Sequence, residues 1–170
     1  DVVLMQLEIP METVEYVAEI AYKKHKKVIL NPAPAHPLSE SLLQHLYILT
    51  PNETEAEIIS GQKINDLESA QKAASVIIRM GVTNVIITLG AKGALICNDE
   101  LVEMIPAHQV NAIDTTAAGD VFNGSLAVAL SEGRSLTDAV RFACKASAIS
   151  VTRIGAQSSV PYRNEVDIFG

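Results

Sequence analysis

Apolar runs typical of buried strands alternate along this chain with segments in which apolar residues recur every three or four positions. The short runs predict strands at 2–7, 28–30, 47–49 and 85–89. The periodic segments predict helices at 11–24, 38–45, 53–60, 67–80, 121–130 and 136–153, and a last turn at 164–169. Segments 94–97 and 101–105 predict a hairpin. The pattern therefore predicts an α/β fold, with a mainly parallel sheet flanked by helices on both faces, in one domain over residues 1–170.

Charge and composition exclude several classes of partner. The net charge is −7, and the only basic cluster is the KKHKK run at 23–27. This run closes a predicted helix, where basic residues interact favourably with the helix dipole, so it is typical of a solvated helix end. Because no other basic cluster is present in the sequence, we expect no nucleic-acid partner. No apolar run has the length of a membrane span and no signal peptide is present, so we expect no membrane partner. Cys97 and Cys144 form no CxxC pair, which is typical of a reduced, cytoplasmic protein.

The stretch DTTAAGD at 114–120 holds the strongest candidate chemistry. Ala117, Ala118 and Gly119 are small, so a ligand can approach their backbone N–H groups, and Gly119 can adopt dihedrals that other residues resist. Asp120 falls in the first turn of the helix that follows, where the helix dipole favours the ionised carboxylate. This arrangement suits phosphoryl transfer, with Asp120 as the base. On spacing alone, a capped core helix is equally compatible.

Two further segments follow predicted strands, where ligands bind in sheets of this kind. Asn52 and Glu55 form an N-x-x-E element whose oxygens suit Mg²⁺, although the same pair could cap a helix. The TLGAKG segment at 88–93 is neither a dinucleotide fingerprint nor a Walker A motif, and a glycine turn of this type also opens hairpins.

Five motifs in order resemble the ribokinase-type (PfkB) carbohydrate kinases. They are NPAPA at 31–35, TPNETEAE at 50–57, TLGAKG at 88–93, DTTAAGDVFNG at 114–124 and VTRIGAQSSVP at 151–161. The combination is more similar to ribokinases than to fructokinases or adenosine kinases, and the resemblance runs from residue 1 to the C-terminus. It implies an ATP-dependent kinase that phosphorylates the primary hydroxyl of a sugar, with D-ribose giving ribose 5-phosphate.

The resemblance also implies roles for individual residues. Asp120 is the base, and the backbone of Ala117, Ala118 and Gly119 forms an anion hole. Glu55 organises Mg²⁺, through water in the family pattern, and Glu8 contacts the sugar together with Asp120. The implied ATP contacts are Asn52, Thr88, Leu89, Gly90, Ala91, Lys92, Gly93, Gly119, Asp120 and Cys144. Cys144 stands where the family often has a larger polar residue, and a small buried helix residue is the alternative.

A monovalent cation, normally K⁺, is implied as an activator. The residues that match its ligands are Asp114, Thr116, Ser150, Arg153, Gly155 and Ser159. Arg153 can contribute only its backbone carbonyl, because a guanidinium has no acceptor. Without the family pattern, the segment at 150–159 is equally compatible with a helix end and an ordinary loop.

The chain opens on Asp1 and enters a strand at once, so we expect it to be the C-terminal, nucleotide-binding and catalytic part of a longer chain. The family's N-terminal portion, with most of the sugar-binding residues and a small β-sheet lid that forms a homodimer, has no counterpart here. Three alternatives stay open: a nucleotide-binding fragment without turnover, another sugar or nucleoside kinase of the family, or a structural remnant without a retained site.

Overall fold

The structure of this chain is a computed structural model that describes residues 1–169. The chain forms two compact units. The first comprises Asp1–Gly90 and Ala94–Met104, and the second comprises Ala91–Gly93 and the residues from Ile105 onward.

A six-stranded mixed sheet follows the order of the chain. Its strands are β1 (Val2–Met5), β2 (Lys27–Leu30), β3 (Ile48–Leu49), β4 (Asn84–Thr88), β5 (Gly93–Cys97) and β6 (Val102–Pro106). The first four strands are parallel neighbours, and β5 runs antiparallel to β4. The sheet is therefore mainly parallel, as the alternation of strands and helices predicts.

Both faces of the central strands are buried, which explains why these strands read as unbroken apolar runs. On one face, Leu30, Leu49 and Ile87 join the main core cluster with the helices of the first unit. On the other face, Ile29 and Ile86 are also fully buried. A strand with one solvent-exposed face would alternate polar and apolar residues instead.

Helices of the first unit connect the parallel strands, because such strands cannot be joined by a tight turn. They are α1 (Met11–Lys23), α2 (Glu40–Leu43), α3 (Glu53–Ser60) and α4 (Leu67–Arg79). α1 buries Val14 and Ala18, and α4 buries Ala73 and Ile77 in the main core cluster. Each helix thus places one apolar stripe against the core.

The second unit is built on a helix pair. α5 (Ala118–Ser131) packs against α6 (Leu136–Ser150), and α7 (Arg163–Ile168) packs against α6. Arg163 lies over the Phe142 ring, with its guanidinium carbon 4.9 Å from the ring centroid, and it also pairs with Glu132. These contacts tie the short terminal helix to both longer helices of the unit.

Several helix boundaries differ from those predicted. α2 begins only at Glu40, because Ser39 caps it by accepting a hydrogen bond from the Leu42 N–H at 3.3 Å. α6 ends at Ser150 rather than at residue 153, because the next residues close a turn in which Arg153 N–H donates to the Ser150 carbonyl at 3.0 Å. α5 begins at Ala118, three residues earlier than predicted.

The predicted hairpin is present as β5 and β6. Asn98 organises its loop, since the Asn98 side-chain oxygen accepts hydrogen bonds from the N–H groups of Glu100 and Leu101. Over the part of the chain that the structure describes, no helix combines the length and apolar composition needed to cross a membrane.

Candidate phosphoryl-transfer site

The start of α5 has an unusual backbone. Its N-cap, Ala117, lies in the left-handed region with φ of 62°, and its methyl side chain supplies no cap. By contrast, Ser39, Asn52, Asp66 and Ser135 cap the helices that follow them with their side chains. An α-helix leaves its first N–H groups without intrahelical acceptors, so α5 presents them with no side-chain cap from its own N-cap residue.

Two N–H groups of this turn donate to backbone carbonyls. The Ala118 N–H donates to the Thr115 carbonyl at 3.2 Å, and the Val121 N–H donates to the Ala117 carbonyl at 2.9 Å. Gly119 has ordinary helical dihedrals, and a methyl group built on it would meet no atom within 4 Å outside its own helical turn. The Cα of Gly119 is therefore not crowded by other elements.

Asp120 is exposed in the first turn of α5, as predicted. It lines an open groove of about 490 Å³ that lies within the second unit. Most of the other lining side chains are apolar or small: Ala117, Val121, Gly124, Ser125, Val128, Phe142, Ala156, Gln157, Val160, Pro161, Arg163 and Val166. A carboxylate at the rim of an apolar groove can accept a proton from a hydroxyl that is held beside it.

Asp114 joins the DTTAAGD stretch to the segment after α6. One of its carboxylate oxygens accepts from the Thr116 N–H and the other from the Gly155 N–H, each at 2.9 Å. Hydrogen bonds from Thr116 and from the Gly155 N–H lower the pKa of Asp114 to about 2. The Ile113 and Asp114 N–H groups also donate to the Val151 carbonyl, at 2.7 and 3.2 Å. The structure therefore brings together Asp114, Thr116 and Gly155 of the predicted cation ligands.

The remaining predicted cation ligands lie in the same segment. Ser150 and Ser159 are buried, and their hydroxyls donate to the Ser147 and Ala156 carbonyls at 2.8 and 2.7 Å. The Arg153 guanidinium pairs with Glu165 on α7. Over residues 1–169, His, Cys, Asp and Glu side chains form no group of three or more that could hold a metal ion.

In the first unit, Asn52 and Glu55 form a capping box at the start of α3. The Asn52 side-chain oxygen accepts from the Glu55 N–H, and the Glu55 carboxylate accepts from the Asn52 N–H, both at 2.8 Å. Burial raises the pKa of Glu55, and the hydrogen bond from Asn52 opposes that shift. The capping role that the sequence left open is therefore present, while the predicted magnesium and phosphate contacts remain predictions.

The TLGAKG segment turns sharply after β4. Thr88 ends the strand, and its N–H donates to the Pro51 carbonyl at 2.9 Å. Leu89 is buried, whereas Gly90 (φ of 55°), Ala91 and Lys92 are exposed in a single 3₁₀ turn. Gly93, with φ of 115°, begins β5 where only glycine fits, since a Cβ there would lie 2.0 Å from the Ile105 carbonyl oxygen.

Two more predicted residues differ in exposure. Glu8 is exposed just beyond β1, and Cys144 is buried in α6. Burial raises the pKa of the Cys144 thiol to about 11, so it is a neutral, small helix residue in this structure.

Sequence reasoning missed two polar residues beside the start of α5. Asn123 is only 4% exposed, and its side-chain amide donates to the Gly119 carbonyl at 2.9 Å. Ser147 on α6 donates from its hydroxyl to the Ala118 carbonyl at 3.1 Å. Asn123 could have been noticed, because it is an amide within an otherwise apolar helical segment. Ser147 has no comparable signal, since α6 is rich in Ala and Ser.

Comparison with known proteins identifies the family. The model of the pfkB family carbohydrate kinases matches residues 2–163, so the chain belongs to that family. The ribokinase of Haemophilus influenzae is 53% identical over 165 residues, which cover 97% of this chain and 54% of that relative. The chain thus spans about half the length of the curated relatives it matches.

Solved ribokinase structures have the same fold. The crystal structure of ribokinase from Thermotoga maritima is 47% identical, with a TM-score of 0.91 over 99% of this chain and 56% of that chain. Arabidopsis thaliana ribokinase complexed with ribose and ATP is 33% identical, with a TM-score of 0.93 over 97% of this chain and 54% of that chain. Membership of the family and the α/β fold predicted from the motifs are therefore confirmed.

Proposed function

We propose that this chain carries the phosphoryl-transfer residues of an ATP-dependent sugar kinase, with ribose as the acceptor. The observation that carries the proposal is Asp120, an exposed carboxylate at a helix start with no side-chain cap, within the region that matches the family. Ribose is favoured because the compared relatives are ribokinases, one of them complexed with ribose and ATP.

In the proposed reaction, Asp120 accepts the proton of a primary hydroxyl as the hydroxyl oxygen attacks the γ-phosphorus of ATP. The bond between that phosphorus and the bridging oxygen breaks, and ADP leaves with the electron pair. The N–H groups of Gly119 and Asp120 stabilise the charge on the transferring group, since preformed donors cost little reorganisation.

The predicted magnesium residues fit their ion chemically. Glu55 is a buried carboxylate and Asn52 an amide, and hard oxygens of this kind suit Mg²⁺. When bound with ATP, Mg²⁺ would neutralise phosphate charge. We propose that Glu55 and Asn52 contact magnesium and phosphate, in addition to capping α3.

The predicted cation residues also fit. The lowered pKa of Asp114 keeps its carboxylate ionised at neutral pH, and Ser150 and Ser159 contribute buried hydroxyl oxygens. With Thr116, Gly155 and the Arg153 carbonyl, they would hold a monovalent cation such as K⁺. Its positive charge would stabilise the loop that leads into α5, on which Asp120 lies. In this structure the backbone N–H groups of Thr116 and Gly155 donate hydrogen bonds to the Asp114 carboxylate, so these donors already order the loop.

The test combines binding with turnover. ATP titration of the chain is followed by ADP release with ribose, fructose or adenosine as acceptor. To supply the part of the relative that this chain does not span, residues 1–170 also replace the matching segment of the Haemophilus influenzae ribokinase. We expect ribose-dependent turnover in that chimera and a loss in kcat of at least about a hundredfold in Asp120→Asn, with ATP binding retained.

Three outcomes separate the alternatives. ATP binding by the chain without turnover in either form would support a nucleotide-binding fragment, and no binding would support a structural remnant. Faster turnover with fructose or adenosine than with ribose would identify that compound, and not ribose, as the preferred acceptor. Asp99→Asn, in the exposed loop between β5 and β6, is the matched control and should keep full turnover. Near-normal turnover of Asp120→Asn would refute the assignment of the base.

A further inference from the structure

Two side chains donate hydrogen bonds to peptide carbonyls at the start of α5. Ser147 donates from its hydroxyl to the Ala118 carbonyl at 3.1 Å. Asn123 donates from its amide to the Gly119 carbonyl at 2.9 Å. Neither residue has a role among the predicted site residues, and the two donors lie on different helices, Asn123 on α5 and Ser147 on α6.

Each of these carbonyls shares a planar peptide group with the next N–H. The Ala118 carbonyl belongs to the peptide that carries the Gly119 N–H, and the Gly119 carbonyl belongs to the peptide that carries the Asp120 N–H. Because a trans peptide is rigid, its C=O and N–H point in opposite directions. A donor that holds the carbonyl therefore fixes the direction of the N–H on the other side.

The two holding residues are themselves constrained. Asn123 is 4% exposed, so its amide has little freedom to choose another acceptor. Ser147 lies on α6, which packs against α5. The Ser147 carbonyl accepts from the Ser150 hydroxyl at 2.8 Å and from the Val151 N–H at 3.2 Å. The carbonyl held by Ser147 is thus anchored to the end of a second helix rather than to a mobile loop.

We infer that Ser147 and Asn123 are positioning residues that aim the Gly119 and Asp120 N–H groups at the transferring phosphoryl group. The inference rests on the proposed function and extends it to residues that touch neither substrate nor the reacting atoms. Chains of hydrogen bonds polarise one another, so a donor on the carbonyl also strengthens the N–H of the same peptide. Ala117 provides no side-chain cap, so these two donors are the side-chain support given to a turn that backbone hydrogen bonds already form.

The first experiment reads the hydrogen bonds directly, without turnover. In ¹H–¹⁵N spectra of the chain, Ser147→Ala should shift the Gly119 amide and leave the Asp120 amide nearly unchanged. Asn123→Leu should shift the Asp120 amide and spare Gly119, because each donor acts through its own peptide group. Glycine-selective labelling reduces the first spectrum to nine resonances. An unmoved Gly119 amide in Ser147→Ala would overturn the inference.

The second experiment measures kinetics in the form that turns over ribose. Ser147→Ala should lower kcat about tenfold and change KM for ATP less than twofold, since donors that act in the transition state affect kcat. Ser147→Thr keeps the hydroxyl and should restore most of kcat. Ser131→Ala is the matched control, because its hydroxyl also donates to a carbonyl of α5, that of Val128, at the far end of the helix.

The outcomes distinguish this inference from the proposed function. Wild-type kcat in Ser147→Ala, beside a large loss in Asp120→Asn, would refute the positioning role alone. An equal loss in Ser131→Ala would also refute it, because a general effect on α5 would then suffice. If the wild type shows no ribose-dependent turnover, the proposed function fails, and the paired amide shifts still decide whether Ser147 and Asn123 hold these peptide groups.

Discussion

Gly90 and Gly93, in the TLGAKG segment, restrict the residue type at their positions for different reasons. Gly90 and Gly93 both have positive φ, of 55° and 115°. A Cβ on Gly90 would meet no atom within 4 Å, whereas a Cβ on Gly93 would lie 2.0 Å from the Ile105 carbonyl oxygen and 2.7 Å from the Ala107 nitrogen. Gly90 is thus required only for its dihedrals, and Gly93 for its dihedrals and for space.

Alanine substitutions at the two glycines should separate these demands. Gly90→Ala should reduce the free energy of unfolding by about 1 kcal/mol, the usual cost of a left-handed alanine. Gly93→Ala should cost roughly 3 kcal/mol or more, because backbone atoms must also move. Urea unfolding of both variants measures the difference. Equal losses would show that the β5–β6 backbone can yield, contrary to the close approach seen here.

The carboxylate of Asp114 makes stability depend on pH. Its pKa, lowered to about 2 from an ordinary 3.8, means that the folded chain binds this proton more weakly than the unfolded chain. The resulting stabilisation is complete above about pH 4 and is lost as the pH falls toward 2. Between pH 5 and pH 2.5, the urea midpoint of the wild type should therefore fall further than that of Asp114→Asn. Parallel curves for the two proteins would contradict this origin.

Much of this residue-scale detail follows from sequence, but backbone conformation does not. The small residues before Asp120 correctly predict an acid in the first turn of a helix. The sequence also makes Gly119 the natural site for an unusual dihedral, yet Ala117 adopts the left-handed conformation and Gly119 is helical. Only the surrounding hydrogen bonds decide this, because an isolated alanine would avoid such a conformation.

At the scale of elements, α3 begins with a motif that has two possible uses. Its capping box, made by Asn52 and Glu55, stabilises the helix through paired hydrogen bonds. The same residues are proposed to face the nucleotide and magnesium. α4 begins with another capping box, made by Asp66 and Ser69, to which no ligand role is assigned.

This pair of helices allows capping to be separated from ligand binding. Asn52→Ala and Asp66→Ala should each lower the thermal midpoint by roughly 2–4 °C, because each removes one N-cap. Only Asn52→Ala should also weaken ATP binding in a titration. A similar loss of ATP affinity in Asp66→Ala would indicate that capping alone, through the stability of the first unit, explains the effect.

The elements themselves were largely predictable from periodicity. α3 spans Glu53–Ser60, the same range that the sequence predicts, because a capping box begins it and Gly61 ends it. The predicted end of α6 was wrong because no Gly or Pro directly follows Ser150, and a hydrogen-bonded turn continues the helical pattern. Side-chain signals mark helix ends well only where a cap or a breaker is present.

For the whole molecule, the order of the strands required the structure. Alternating strands and helices predict a parallel sheet, and a hairpin predicts an antiparallel addition. Periodicity does not reveal that β1 lies at one edge and β6 at the other, in strict chain order. The donor from Ser147 was hidden for the same reason, since packing of α6 on α5 is a tertiary contact.

Several large apolar side chains are exposed to solvent in both units of the chain. In the second unit, the side chains of Ile113, Ile154, Tyr162 and Ile168 are each more than 60% exposed. Val128 and Val160 line the groove of that unit and are 48% and 51% exposed. In the first unit, β1 is an edge strand, whose backbone groups on one side lack a strand partner in the described sheet.

We therefore expect the 170-residue chain to self-associate in isolation, because exposed apolar side chains and an open strand edge both favour pairing. Light scattering after size exclusion, over a dilution series around micromolar concentration, should give a mass above 18.2 kDa that falls on dilution. Val128→Lys should reduce association more than Ile58→Lys, which adds the same charge at a similarly exposed position of the first unit. If the groove drives pairing, this difference persists at every concentration, whereas equal effects would indicate that net charge alone controls it. A monodisperse monomer throughout would show that the exposed residues are tolerated in water without a partner.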